Sequence, residues 1–328
     1  MGHVLKKCKV FLKDAEFYIK KIRKIMERNI NGKALSTQSF ASLYPFTPKH
    51  VKVQGHSLYY LDEGSGSPIL MVHGNPTWSF YYRHMVKVLS PNHRTIVPDH
   101  IGCGFSDKPD ARDYKYTLQS RVDDLDSLVN HLDLKEKITL VVHDWGGMIG
   151  LAWALDNLDR IERIVITNTS GFFLPQDKKF PLRLWLLKYL APFAIPAVQA
   201  GNIFSRAALY MAPRSPLSKQ IKQGLTAPYN SWKNRIATLK FVQDIPLSPK
   251  DESYPLVKKV EDALHHLEQV PMMILWGRHD FVFDLSFLKE WKRRFPRVPV
   301  HLFDDAGHYL FEDKPGETAA LIKEFMER

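Results

Sequence analysis

Residues Ile138 to Gly147 have the sequence ITLVVHDWGG, and this stretch decides the fold. Its first part is a short apolar run, which predicts a buried strand of a parallel sheet. Asp144 then precedes a glycine pair and a helical pattern over Gly146 to Asn157. A strand, a sharp turn and a helix in this order present the turn residue as a nucleophile. The sequence therefore predicts Asp144 as a nucleophile, with a simple helix N-cap as the alternative.

Similar apolar runs lie on both sides of this stretch, and most are separated by helical patterns. The other predicted strands are a hairpin over His50 to Asp62, then Ile69 to His73, Thr95 to Pro98, Ile161 to Asn168, Met272 to Trp276 and Val300 to Phe303. Further helices are predicted over Leu118 to Leu132, Leu285 to Phe295 and Gly316 to Met326. This alternation predicts an α/β fold with a mostly parallel sheet flanked by helices, and functional residues just past the carboxyl ends of its strands.

The alternation stops between Phe172 and Gln269, where about a hundred residues are helical and aromatic. A segment of this length is too long for an ordinary loop, so it predicts a helical cap inserted between strands 6 and 7. We expect a core formed by residues 34–171 and 270–328 and a cap formed by residues 172–269. The apolar stretch within the cap contains charged residues and prolines, which argues against a membrane span.

Composition and charge exclude several classes of protein. The chain has 328 residues, of which 45% are apolar, 25% are charged and only 2 are Cys, which is typical of a soluble globular protein. Disordered chains, collagens and disulfide miniproteins are excluded. Cys8 and Cys103 lie in unlike contexts, so a disulfide framework is not expected and a reducing cytoplasm fits best.

Most of the net charge of +11 lies at the N-terminus. Residues 1–33 hold ten Lys and Arg against three acidic residues, a net charge of +7. Apolar residues there repeat at helical spacing with lysines on the opposite face, which predicts a basic amphipathic helix. Such a helix could contact an anionic membrane surface or a partner, or could pack on its own domain.

Two more polar residues follow later strands and complete a catalytic order. Asp280 follows the strand that ends at Gly277, and His308 follows the last strand. The chain order is nucleophile, acid, histidine, which is one of the known orders of a catalytic triad. We therefore predict Asp144 as nucleophile, Asp280 as the orienting acid and His308 as the base.

A carboxylate nucleophile restricts the chemistry. It can displace at a carbon that carries a halide, an epoxide or a strained ring, and it leaves a covalent ester. The leaving group then needs hydrogen-bond donors, which the Asn75 amide and the Trp145 indole could supply. The alternatives are a turn Asn before Pro and a core Trp. No motif for a metal, nucleotide or flavin is present, so no cofactor is expected.

The motifs His73 to Ser79 (HGNPTWS) and Val142 to Gly147 (VHDWGG) resemble the haloalkane dehalogenase branch of the α/β-hydrolases. The resemblance implies that Asn75 and Trp145 hold a departing halide and that Asp144, Asp280 and His308 form the triad. Some dehalogenases carry their acid after strand 6, where this chain has Asn168 and Thr169.

A more extensive resemblance covers residues 43–328 and includes the cap. It is to the β-lactone decarboxylases of bacterial long-chain olefin biosynthesis, and it rests on LYPFTP, YLDEG, PDHIGCGFSDKP, YTLQSRVDDL and FVQDIPL, which begin at Leu43, Tyr60, Pro98, Tyr116 and Phe241. It implies conversion of a cis-3,4-dialkyl-oxetan-2-one to a cis-alkene and carbon dioxide without a cofactor. The intermediate could be a mixed anhydride or an alkyl ester, and the apolar cap suits two alkyl chains.

Three functions thus follow from the sequence, in order of preference: the decarboxylase, a haloalkane dehalogenase, and a non-catalytic assembly subunit. The expected partners are an apolar substrate with long alkyl chains, other olefin-pathway enzymes in an assembly, and a membrane surface contacted by residues 1–33. Nucleic acid is not an expected partner. We expect a cytoplasmic protein at the inner face of the membrane.

Overall fold

The computed structural model describes residues 34–327, so the helix predicted for residues 1–33 lies outside the described residues. Its centre is one eight-stranded sheet with the order β1-β2-β4-β3-β5-β6-β7-β8. The strands are β1 (Lys49–Val53), β2 (His56–Glu63), β3 (Pro68–Val72), β4 (Arg94–Pro98), β5 (Ile138–Asp144), β6 (Ile161–Thr169), β7 (Met272–Gly277) and β8 (Val300–Phe303). The β1-β2 hairpin and its pairing with β4 are antiparallel, and all other pairs are parallel.

The apolar runs form strands because both faces of the sheet are covered. Every residue of β3, β5 and β7 is buried. Along β3, Leu70 and Val72 pack into one hydrophobic cluster while Ile69 and Met71 pack into a second. Alternate side chains therefore enter cores on opposite faces, which is why these strands lack a polar face. β5 pairs with β3 and β6, so Asp144 lies at the middle of the sheet edge.

Helices cover both faces and form the inserted segment. The core helices are α1 (Arg83–Leu89), α2 (Leu118–Leu132), α3 (Trp145–Leu155), α10 (Leu285–Arg294), α11 (Leu310–Asp313) and α12 (Pro315–Glu327). Between β6 and β7 lie α4 (Leu182–Tyr189), α5 (Ala191–Ile195), α6 (Ile203–Met211), α7 (Lys219–Thr226), α8 (Ile236–Gln243) and α9 (Tyr254–Ala263). The four helices predicted in the core lie within two residues of their predicted bounds, whereas α1 and α11 were not predicted.

The inserted segment is attached to the loop that follows β3. The Trp78 indole donates to the Gly224 carbonyl at 2.9 Å, and the Tyr229 hydroxyl donates to the Thr77 carbonyl at 3.1 Å. These bonds hold the cap over the carboxyl ends of the strands, where the predicted site residues lie. The predicted fold class, a sheet with a helical cap between strands 6 and 7, is confirmed. Within residues 34–327 no helix has the length and apolar character needed to cross a membrane.

Candidate active site

The turn after β5 holds Asp144 in an unusual backbone conformation. Its φ is +53°, a value that side-chain-bearing residues rarely adopt, and its side chain makes no N-cap hydrogen bond to the second or third residue of α3. Asp144 therefore occupies the N-cap position of α3 without the side-chain bond that a simple N-cap makes. Tight packing maintains the turn, since a Cβ at Gly146 would lie 2.0 Å from the Val72 carbonyl oxygen and one at Gly147 would lie 1.8 Å from Thr169 Oγ1. Glycine at both positions therefore allows a close approach that a side chain would prevent.

Two backbone amides bind this carboxylate. The Asn75 N–H donates to Asp144 Oδ1 at 2.5 Å, and the Trp145 N–H also bonds to the carboxylate. Gly74 makes room for the contact, because a Cβ there would lie 2.0 Å from Asp144 Oδ1. The sequence predicted donors only on the side chains of Asn75 and Trp145, and the backbone N–H groups of these two residues were not predicted as donors. The available signal was a helix N-terminus directly after Asp144, which always offers unpaired N–H groups.

Opposing effects act on the Asp144 carboxyl. Burial raises its pKa, while the neighbouring His308 and the two backbone amides lower it. Burial is the larger effect, so the pKa of Asp144 is raised from its ordinary value. The carboxylate is thus more basic than an exposed Asp and is poorly hydrated, and both properties favour a nucleophile.

His308 lies between two carboxylates. Its Nδ1 donates to Asp280 Oδ2 at 2.7 Å, and its Nε2 lies 3.6 Å from Asp144 Oδ2. Because an ionised carboxylate only accepts, the neutral ring carries its proton on Nδ1 and directs the Nε2 lone pair toward Asp144. Burial lowers the pKa of His308, but the Asp280 and Asp144 carboxylates outweigh burial, so the pKa is raised.

Asp280 is itself held in place. Its Oδ1 accepts from the backbone N–H groups of Val282 at 2.6 Å and Phe283 at 3.0 Å, which leaves Oδ2 for His308. At the end of β6, the Asn168 amide instead bonds to the backbone of Gly277, accepting at 2.8 Å and donating at 3.2 Å. The place where some dehalogenases carry an acid is therefore used here to join β6 to β7.

The side chains predicted to hold a leaving group border the same space as Asp144. Asn75 Nδ2 donates to the Thr238 carbonyl of α8 at 3.1 Å, and its Oδ1 is buried without a hydrogen-bond partner among residues 34–327. One N–H of this amide is therefore already used by the cap. The Trp145 ring lies 5.4 Å from the Phe241 ring, and its indole N–H bonds to no residue within 34–327.

A cavity of about 510 Å³ extends from these groups into the cap. Asn75, Asp144, Trp145 and His308 border it, and Asp280 lies behind His308. Its other walls are mainly apolar side chains from the cap and from the loops after β6 and β7, including Phe172, Leu187, Phe204, Val242 and Phe283. The volume is that of an ordinary small-molecule site. Within residues 34–327, no group of three or more His, Cys, Asp or Glu could hold a metal ion.

Residues 67–315 match the profile of the alpha/beta hydrolase fold. The chain belongs to the α/β-hydrolase fold family. This α/β-hydrolase is 50% identical over 286 residues to a cis-3-alkyl-4-alkyloxetan-2-one decarboxylase of Shewanella oneidensis, covering 87% of this chain and 90% of the relative. It is 45% identical to a protein of the same name from Xanthomonas campestris pv. campestris, covering 87% and 97%. Among solved structures, haloalkane dehalogenase DatA from Agrobacterium tumefaciens C58 superposes with a TM-score of 0.78 at 25% identity, covering 88% and 99%.

Proposed function

We propose that this α/β-hydrolase is a β-lactone decarboxylase that converts a cis-3-alkyl-4-alkyl-oxetan-2-one to a cis-alkene and carbon dioxide. The observation that carries the proposal is a buried carboxylate, Asp144, at the base of a mainly apolar cavity. The names of the relatives that are 50% and 45% identical support it. Each methylene buried in such a cavity contributes about 0.8 kcal/mol to binding, so apolar walls favour a substrate with two alkyl chains.

The reaction begins with attack of Asp144 on the ring carbon that bears the lactone oxygen. A bond forms between Asp144 Oδ2 and this carbon, and the ring carbon–oxygen bond breaks with its electrons moving to oxygen. The product is an alkyl ester of Asp144 and a free β-carboxylate. Relief of ring strain drives the step, and the Asn75 N–H bonded to Oδ1 holds the carboxyl in one orientation.

Fragmentation of this ester gives both products. The β-carboxylate leaves as carbon dioxide, the electrons of the broken carbon–carbon bond form the alkene, and the ester carbon–oxygen bond returns its pair to Asp144. Inversion in the first step followed by anti fragmentation yields a cis-alkene from a cis-lactone. The overall reaction consumes no water and no proton.

The remaining site residues have roles that follow from their positions. The Asn75 amide and the Trp145 indole border the cavity beside Asp144 and could hold the carboxylate released by ring opening. The pKa of His308 is raised and its Nε2 lies 3.6 Å from Asp144 Oδ2, so the protonated form of the ring would stabilise the Asp144 carboxylate as it departs. Asp280 positions the ring.

A lactone labelled with ¹⁸O in the ring distinguishes the two intermediates. In the alkyl-ester route the ring oxygen remains on the substrate carboxylate and is released in carbon dioxide. In the mixed-anhydride route Asp144 attacks the carbonyl, and the freed alkoxide then attacks the Asp144 acyl carbon. The ring oxygen then stays in the Asp144 carboxyl. We expect labelled carbon dioxide and an unlabelled Asp144 peptide by mass spectrometry, and label in the peptide would contradict the alkyl-ester route.

Haloalkane dehalogenation is the second candidate. The observation that favours it is the indole N–H of Trp145, which is unbonded within residues 34–327, together with an imidazole whose Nε2 lone pair faces Asp144. In that reaction Asp144 forms the ester as the carbon–halogen bond breaks, and His308 takes a proton from the water that cleaves the ester. A non-catalytic subunit would not need Asp144, His308 and Asp280 in this arrangement.

The deciding experiment uses purified protein with a synthetic cis-dialkyl β-lactone and, separately, with a 1-bromoalkane of similar length. Alkene and bromide are measured for the wild type and for Asp144→Ala. Alkene that disappears in the variant supports the decarboxylase. Bromide without alkene transfers the assignment to the dehalogenase, and neither product favours the non-catalytic subunit.

We also propose the location and partners of the protein. A cytoplasmic site fits its isolated cysteines. Residues 1–33 would contact the inner face of the membrane, because ten Lys and Arg accompany their amphipathic pattern. Other olefin-pathway enzymes that supply the lactone would form an assembly with it. Deletion of residues 1–33 with no change in membrane partition would contradict the membrane contact.

A further inference from the structure

The cap exposes apolar side chains to an extent seen nowhere else in residues 34–327. Of the ten large apolar side chains exposed there, eight lie between residues 182 and 211. They are Leu182, Trp185, Leu186, Tyr189, Phe193, Ile203, Tyr210 and Met211. Phe193 is 73% exposed and Leu182 and Tyr210 are each 71% exposed, so these side chains are almost fully in contact with solvent. Clustered exposed apolar groups mark an interaction site. We call these eight residues the cap face.

The cap face surrounds the mouth of the cavity. Leu186, Phe193, Ile203 and Met211 are exposed and also line the cavity that reaches Asp144. A side chain with both properties lies at an opening. Ring contacts extend this rim, because the centres of the Trp185 and Tyr189 rings lie 5.3 Å apart with the rings tilted against each other. The apolar surface is therefore continuous with the apolar interior of the cavity.

The segment that bears the cap face is strongly basic. Residues 172–226 contain eight Lys and Arg and a single acidic residue, Asp177, a net charge of +7. Because residues 1–33 hold another +7, the remaining 240 residues have a net charge of −3. The sequence-based prediction attributed most of the excess basic charge to residues 1–33, and this second concentration was not predicted.

Most of these cations are unpaired. Lys178 bonds to Asp284, and Lys188 lies 3.2 Å from Asp251. The other six form no ion pair with any residue of 34–327, and they are Lys179, Arg183, Arg206, Arg214, Lys219 and Lys222. Two of them lie directly on the cap face, since Lys222 Nζ is 4.4 Å from the centre of the Tyr210 ring and Arg183 contacts the Met211 sulfur at 3.9 Å.

We propose that the cap face docks on an anionic lipid bilayer, with the cavity mouth against the lipid. Exposed Trp, Tyr and aliphatic side chains with Lys and Arg around them match the interfacial zone of a membrane. Charge favours an anionic bilayer over two other occupants, which are a second copy of the cap face and residues 1–33 of the same chain. A second copy of the face would bring +7 against +7, and residues 1–33 carry the same sign. An anionic surface attracts both segments.

Docking gives the cavity a route for apolar molecules. A lipid-dissolved compound would pass from the bilayer between Phe193 and Ile203 into the cavity without crossing water. The delivery of a dialkyl β-lactone by this route rests on the proposed function. The docking itself rests only on the exposed apolar rim and the unpaired cations.

The first test measures binding of the full chain to vesicles by co-sedimentation. The vesicles are phosphatidylcholine alone or with about one third phosphatidylglycerol, and we expect binding only to the anionic ones at physiological salt. A charge variant, Lys179→Gln with Arg206→Gln and Lys219→Gln, should bind at least about tenfold more weakly. Its matched control is Lys52→Gln with Lys137→Gln and Lys292→Gln, three exposed and unpaired core lysines, which should bind within about twofold of wild type.

The second test removes apolar surface at positions that do not line the cavity. Leu182→Ser with Tyr210→Ser should reduce vesicle binding by about tenfold, because each change removes a large side chain from lipid. Val88→Ser, which alters an exposed apolar residue of α1, should leave binding unchanged. Retained binding in both cap variants, or no binding of wild type to anionic vesicles, overturns the proposal.

Sedimentation velocity without vesicles detects the main competing occupant. If Leu182→Ser with Tyr210→Ser dissociates an oligomer while vesicle binding stays at the wild-type level, the cap face is an interface between copies and the docking proposal is wrong. Turnover of a short-chain β-lactone in vesicle-free solution separates this proposal from the function. The charge variant should retain wild-type turnover there. Absence of turnover in every protein, with vesicle binding intact, would overturn the function and leave the docking supported.

Discussion

The candidate active site and the cap face differ in whether their side chains have partners among residues 34–327. In the site, three buried titratable side chains are matched: Asp144 accepts from backbone amides, and His308 lies between Asp144 and Asp280. On the cap face, apolar rings stand in solvent and six nearby cations have no ion-pair partner within the described residues. The titratable groups of the site therefore find their partners within this chain. The apolar and cationic side chains of the cap face instead suit a partner outside the chain.

This contrast predicts where substitutions are costly. Changes in the site should remove activity in solution, because its groups act on one another over short distances. Changes at cap-face residues that do not line the cavity, such as Leu182 and Tyr210, should leave folding and solution activity intact and affect only contacts with an external surface. Substitutions at the two regions can therefore test whether the site acts alone in solution and whether the cap face serves only an external contact.

Asp144→Ala should reduce alkene formation by about 10⁴-fold or more, because no other group can form the covalent ester. Asp156→Ala is the control, since that carboxylate is exposed and pairs only at the surface with Lys259. Gas chromatography of the product measures both. A variant that keeps more than about one hundredth of wild-type kcat would show that the ester is not an intermediate.

Asp280→Asn should separate fragmentation from hydrolysis. An Asn at this position can still accept from the Val282 and Phe283 amides, so the loop is retained, but its NH₂ group would face His308 Nδ1 and reverse the tautomer. A reaction that needs His308 as a general base would lose about 10⁴-fold in kcat. We expect a loss below about 100-fold for lactone decarboxylation, which needs no proton transfer. A 10⁴-fold loss with the lactone would contradict the proposed steps.

Gly74→Ala should misplace the candidate nucleophile. The added Cβ would lie 2.0 Å from Asp144 Oδ1 and 2.4 Å from Asp144 Cβ, so the carboxylate must move. We expect kcat to fall by about 100-fold with little change in KM, since the apolar cavity is untouched. Gly316→Ala adds the same methyl group where nothing lies within 4 Å and should have wild-type kcat. Equal kinetics in the two variants would contradict the importance of the position of Asp144.

The pH profile of kcat/KM should reflect burial of Asp144. Its pKa is raised, and only the ionised carboxylate attacks, so activity should be present above that pKa and be lost as the pH falls through it. The acid limb should therefore lie above the ordinary Asp value of 3.8. Stopped-time assays over roughly pH 4 to 8 measure it. An acid limb at or below the ordinary value would contradict the burial effect.

Leu182→Ser should have the smallest effect on the isolated protein. Because this side chain is 71% exposed, we expect the free energy of unfolding to change by less than about 0.5 kcal/mol. Leu140→Ala, in the middle of β5 and fully buried, should cost about 2 to 5 kcal/mol. Urea denaturation followed by circular dichroism compares the two. A large loss in Leu182→Ser would show that the cap face is part of the folding core.

The order of strands and helices, the position of the cap and the candidate triad could be predicted from the sequence alone. These follow from local patterns, because a buried parallel strand needs an apolar run and a turn between strand and helix needs glycines. Asp144, Asp280 and His308 could be predicted because each lies at or shortly after the carboxyl end of a strand, and parallel strands bring their carboxyl ends to one edge. Asn75 and Trp145 were found for the same reason.

The hydrogen-bond partners of these residues depend on the tertiary structure. The Asn75 N–H contacts a carboxylate 69 residues away, and the Asn168 amide joins a backbone 109 residues away. The tertiary structure also decided which cap aromatics pack and which are exposed: Tyr229 and Phe241 are buried, whereas Trp185 and Tyr210 face solvent. Helical spacing cannot make this distinction. Whether a side chain is covered depends on the elements that the rest of the chain places against it, and that information is not local.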